Sequence, residues 1–99
     1  PAHDRPMEGT QTFGERFLEE WKRLGGPLAG WSYAELQEIK GCDQEGLAMA
    51  LRRNHSLVSY AAIQRVRSAQ NPEDLARELH SRSGAHTDAG PWIMLSLLS

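Results

Sequence analysis

Helix-interrupting residues recur along this chain at intervals too short for any long element. Gly25-Gly26-Pro27, Gly41, Asn54-His55, Asn71-Pro72, Gly84 and Gly90-Pro91 each break a helical pattern, because glycine adds backbone freedom that a helix must freeze and proline removes a donor. The residues between the breaks favour helix. Twelve Leu stand against eight β-branched residues (Val58, Val66, Ile39, Ile63, Ile93, Thr10, Thr12 and Thr87), and γ-branched or straight side chains keep more rotamer freedom in a helix than β-branched ones do. A sheet-dominated fold is therefore largely excluded, and 99 residues have room for one core only. The expectation is an all-α fold, a single small domain of four to five short helices with an apolar C-terminal segment. It divides into a flexible N-terminal segment (1–11), a helical domain (12–84), and a linker with the apolar segment (85–99).

The helices can be placed from their signals. Thr12 and Glu15 have capping-box spacing, and Phe13, Phe17, Leu18, Trp21 and Leu24 follow on one face, which predicts a helix over 13–24 ended by Gly-Gly-Pro. Ser32 and Glu35 form a second box, with Trp31 placed to staple onto Leu36, and this predicts a helix over 33–40. Asp43 caps a third carrying Leu47, Met49, Ala50 and Leu51, which ends near Asn54. A fourth, central helix is expected from Ser56 to about residue 70, with Tyr60, Ile63 and Val66 at spacings of three. Asn71-Pro72-Glu73-Asp74 opens a fifth, combining a capping side chain, proline at the first position and acids at the positive end of the dipole; Leu75, Ala76 and Leu79 face inward up to Gly84.

Several kinds of chemistry lack their residues. The lone Cys42 has no disulfide partner, and His3, His55, His80 and His86 are scattered away from it, so neither a metal nor another cofactor is expected. Gly30-Trp31-Ser32-Tyr33-Ala34 has the outline of a nucleophile elbow without the strand-to-helix turn that strains one, and Ser32 serves better as a cap. Gly25-Gly26 lacks the lysine of a phosphate loop. No catalytic function is expected. The first residues show no basic-then-apolar leader and no window nears the roughly 20 apolar residues that span a bilayer, so a cytoplasmic protein without membrane contact is expected.

Two constellations could carry function. The first is basic: Arg52, Arg53, Arg65 and Arg67 lie in residues 46–72, which hold no acid, although the chain as a whole has a net charge of −2. Helices three and four have the lengths of a helix-turn-helix, whose reading face would include Tyr60, Gln64 and Arg67. Four arginines release few counterions, and Arg52 and Arg53 also suit the negative end of their helix. The second is apolar: Trp92, Ile93, Leu95, Leu97 and Leu98 form an uncharged terminal stretch beyond the Gly90-Pro91 break. Such a stretch must leave water, and burial between chains, in a homodimer or on a protein partner, is expected for it. Pro91 favours a short helix there; a strand added to a symmetry mate would satisfy the same residues.

A chain of this length with five short helices, no catalytic motif, mild acidity and an adhesive end resembles the small bacterial antiactivators, quorum-sensing antiactivators among them. The resemblance rests on size, helical layout and composition, so it carries over no residue. It implies a homodimer that binds a LuxR-type transcription factor and prevents productive DNA binding. The functional expectation is a small regulatory protein acting by protein–protein interaction, and the alternative is a small helix-turn-helix DNA-binding regulator.

Overall fold

The computed structural model describes residues 11–99, and the regular elements among them are all helical. Its elements are α1 (Phe13–Arg23), α2 (Tyr33–Lys40), α3 (Gln44–Asn54), α4 (Tyr60–Ser68), α5 (Pro72–Ser83) and α6 (Pro91–Leu95), followed by a 3₁₀ turn, Ser96–Leu98. The segment expected to be flexible, residues 1–11, lies outside the described residues apart from Gln11. No described helix is long and apolar enough to cross a membrane.

Side-chain caps start the first five helices. The Thr12 hydroxyl accepts from the Glu15 amide at 2.9 Å and donates to the Lys40 carbonyl at 2.5 Å, so a single group starts α1 and ties it to the end of α2. Ser32 and Glu35 form a reciprocal capping box on α2. Asp43 accepts from Gly46 N–H, Ser59 from Ala62 N–H and Asn71 from Asp74 N–H. The fourth helix begins at Tyr60, four residues after the expected Ser56, because Ser59 supplies the cap. After α1 the chain reverses at Gly25, whose φ of 78° is left-handed backbone that residues with a Cβ rarely adopt. A capping test follows: Ser32→Ala and Asn71→Ala should each cost about 1 kcal/mol by leaving a first-turn amide unpaired. Equilibrium denaturation measures it, and unchanged midpoints would mean that these caps hold nothing.

Two helix pairs frame the core. α1 lies against α5 and α2, while α3 lies against α4; the 3₁₀ turn fits against α4 and α5, and α6 touches α3 and α5. Phe17, Leu18, Trp21, Ile39, Leu47, Leu51, Ala62, Val66, Leu75 and Leu79 are buried together. Trp21 stacks on Trp31, with ring centroids 5.6 Å apart, and on Phe17 at 6.3 Å, while His80 meets its edge. Its indole N–H donates to Pro27 O. Glu20 is the buried exception among the described acids; the Arg23 guanidinium beside it holds its carboxyl below the usual carboxylate range against the opposing effect of burial, and Arg77 adds to this. A further polar joint lies between α3 and α4. The Gln44 side-chain amide faces the carbonyls of Val66, Arg67 and Ala69 at 2.8–3.0 Å and so closes the C-terminal end of α4.

The terminal segment departs from the sequence-based expectation. Trp92, Leu95 and Leu98 are buried in the chain's own core, along with Met94 and Pro91, and Leu97 is half-buried. The five-residue helix α6 turns these side chains inward. Its approach is fixed by the Trp31 indole N–H, which donates to Ala89 O at 3.1 Å, and the end is held by Arg82, which donates to the carbonyls of Leu97 and Ser99. Residues 85–99 therefore complete the same core as residues 12–84. Ile93 is the one member of the set left outside, at 49% exposure.

Candidate functional site

The α3–α4 corner follows from local sequence. α3 stops at Asn54, whose side-chain amide donates to Ala50 O, and the five residues His55–Ser59 then carry the chain round to α4. A turn bond from Val58 N–H to His55 O shapes the bend. Val58 leans on the core, whereas the Leu57 next to it is 87% exposed. On α4, Ala62, Ile63 and Val66 face inward. Tyr60, expected to share that face, occupies the first turn on the outer side and is 73% exposed.

A groove of about 350 Å³ opens here, lined by Arg52, Ser56, Val58, Tyr60, Ile63 and Arg67. Met49, 42% exposed, stands at its side, with its sulfur 3.6 Å from an Arg67 nitrogen. The groove is of the size that takes a small ligand or a few side chains, for which about 300–1,000 Å³ is usual. Its apolar floor comes from Val58 and Ile63, and its polar groups are a serine hydroxyl, a phenol and two guanidiniums. No carboxylate lines it.

The expected basic constellation is largely neutralised by the fold. Residues 46–72 hold no acid, but three neighbouring segments bring acids to them. Arg53 pairs with Glu38, Arg65 with Glu78, and Arg67 with both oxygens of Glu45 at 2.8–3.2 Å. The hydrogen bonds from Arg67 hold the Glu45 carboxyl below its ordinary range. Arg16 with Glu73, Arg23 and Arg77 with Glu20, and Arg82 with Glu78 follow the same pattern. Arg52 departs from it: this exposed guanidinium has no ion-pair or hydrogen-bond partner among the described residues, and it lines the groove. Gln64, on the expected reading face, is half-buried. A phosphate backbone meeting this surface would find one arginine free and three engaged.

The candidate site thus shifts relative to the sequence-based expectation. With Trp92, Leu95 and Leu98 inside one chain, the apolar surface on which the homodimer rested is used internally. Arg52, Tyr60 and Arg67 are brought together, while Arg53 and Arg65 are drawn to acids elsewhere. Met49, Ser56, Leu57 and Val58 were not anticipated at the site. Only Leu57 had a signal, the Asn54-His55 break, since an apolar residue inside a turn has fewer ways to reach a core than one on a helix face.

Cys42 is half-buried and donates to Glu38 O; burial pushes its thiol up, away from the reactive thiolate form. The described residues contain no group of three or more His, Cys, Asp or Glu able to hold a metal ion. No protein-family model, no curated protein and no solved structure matches the chain.

Proposed function

We propose that this chain is a regulatory protein that acts by binding another protein through the α3–α4 corner. One observation carries the reading: three of the five large hydrophobic residues left exposed among the described residues belong to this corner, with Tyr60 lining the groove, Met49 against Arg67, and Leu57 in the turn between Ser56 and Val58. Scattered exposed apolar residues are ordinary, but a cluster rimmed by polar groups marks interaction surfaces. Tyrosine and arginine are also the residue types, with tryptophan, that most often anchor interfaces. Within this reading, the resemblance to antiactivators gives the partner class as a transcription factor of the LuxR type, which the chain would occupy and silence.

The test is affinity capture from the cell of origin with quantitative mass spectrometry, comparing the wild-type chain with Leu57→Asp and Tyr60→Ala. Both side chains are exposed, so both variants should melt like wild type. A retained transcription factor should be lost from both, with affinity reduced roughly 30-fold or more if either residue is an anchor. Retention unchanged in both variants refutes the reading. A duplex-DNA shift that weakens steeply with salt and is lost on Arg65→Glu would replace it with the DNA-binding alternative, because counterion release makes phosphate contacts strongly salt-dependent.

A further inference from the structure

Arg52 is the anomaly of this surface. The other described arginines each reach a carboxylate, and even Arg67, which lines the same groove, has both oxygens of Glu45. Arg52 alone lines this groove without a carboxylate partner among the described residues; Val58, Ile63, Tyr60 and Ser56 line it with Arg52 and Arg67, and no acid is in the lining. A guanidinium is a rigid fork of donors that matches a carboxylate through two parallel bonds. The floor in turn offers burial to one or two apolar side chains and nothing to a second charge.

The geometry points to an acidic, apolar-anchored segment of a partner protein as the occupant of this groove. A leucine or aromatic side chain seats against Val58 and Ile63, and a neighbouring glutamate or aspartate pairs with Arg52. Charge complementarity selects this occupant: the groove carries an uncompensated positive group, and a neutral or basic segment would leave it unpaired. Arg67 contributes less, because a partner's carboxylate would have to compete with Glu45 for it. The inference rests on the protein-binding reading and adds the chemistry of the segment recognised.

Three short fluorescein-labelled peptides test it by fluorescence anisotropy against the full chain: one with adjacent tryptophan, leucine and glutamate, one with the glutamate changed to glutamine, and one with the apolar pair changed to serine. The first should bind saturably. Binding should fall at least about tenfold with either altered peptide and with Arg52→Gln, the loss expected when one charged partner of a hydrogen-bonded pair is removed. Arg52→Lys should recover part of it as a single point charge. Thermal melts of both variants should overlay wild type, since Arg52 is exposed and makes no hydrogen bond or ion pair with a described residue. Equal binding of the glutamate and glutamine peptides, indifference to Arg52→Gln, or no binding of the first peptide overturns the inference. So would self-association of the chain that Arg52→Gln abolishes, which would make a second copy the occupant. If partner capture depends on Leu57 and Tyr60 while Arg52→Gln leaves it intact, the protein-binding reading stands and only the acidic chemistry falls.

Discussion

A chain ended at Gly90 is expected to lose cooperative unfolding. The truncation removes Trp92, Met94, Leu95 and Leu98, all buried in the core, and Pro91 with them. Full burial of a large apolar side chain contributes about 1.5–3 kcal/mol, so four of them amount to roughly 6–12 kcal/mol. Domains of this kind are stable by only about 5–15 kcal/mol. The loss also uncovers the inner faces of α3, α4 and α5, against which α6 and the 3₁₀ turn lie. Circular dichroism on heating should show a sigmoidal transition for the full chain and a shallow, featureless decline for the truncated one. Leu95→Ala provides a graded version, with an expected cost of about 2–5 kcal/mol and a fall in Tm of roughly 10–30 °C. A truncated chain that melts cooperatively within a few degrees of the full one would show that the terminal segment is dispensable to the core.

Gly14→Ala should destabilise the protein severely, although in an exposed helix the same change stabilises by about 0.5–1 kcal/mol. A Cβ built on Gly14 would lie 1.8 Å from the Ile39 carbonyl oxygen, 2.9 Å from its carbon and 3.1 Å from the Cys42 oxygen. These are backbone atoms, and no rotamer change can move them aside. The Gly14 amide also donates to Cys42 O at 2.8 Å. To admit a methyl group, α1 must withdraw from the end of α2, which strains that bond and the one from Thr12 to Lys40. Overpacking costs about 1–3 kcal/mol and a buried amide left unpaired about 1–3 more, so a loss of about 3 kcal/mol or greater is expected in urea denaturation. Gly41→Ala is the control: its Cβ would meet nothing nearer than 3.6 Å, in ordinary right-handed backbone, and should change stability by less than about 0.5 kcal/mol. A Gly14→Ala chain as stable as wild type would mean that α1 and α2 are free to separate.

Helix positions were legible in the sequence where a cap and a stop fall on fixed residues. Ser32 with Glu35 and Gly41 bound α2 through hydrogen bonds within a few residues, and α5 is bounded by the Asn71 cap with Pro72 and by Gly84 at a φ of 50°. α4 was harder. Ser56 and Ser59 are equal as caps locally, and the fold uses Ser59, with Val58 just before it packed against the core. Tyr60 illustrates a second limit, since spacing of three aligned it with Ile63 and Val66 but could not reveal that Tyr60, at the first position of α4, stays exposed while Ile63 and Val66 are buried. The terminal segment illustrates a third. Its apolarity required burial, but the site of burial was set by the Trp31 bond to Ala89, a contact across 58 residues with no sequence signature. The groove was hidden for the same reason, because the acids that neutralise Arg53, Arg65 and Arg67 come from α2, α5 and the first turn of α3.

The tryptophan stack gives the protein a built-in optical reporter. Trp21 and Trp31 lie nearly face to face, at 14° between planes, and belong to α1 and to the loop before α2. Coupled indoles in a fixed asymmetric setting give near-ultraviolet dichroism only while both are clamped. A collapsed state that kept its helices but loosened its side chains would retain the far-ultraviolet signal and lose this one. Trp31 is in turn bonded to Ala89, so the same band senses whether the last helix is docked. The seating of that terminal segment can thus be followed in real time without a label, from the absorbance of residues the chain already carries.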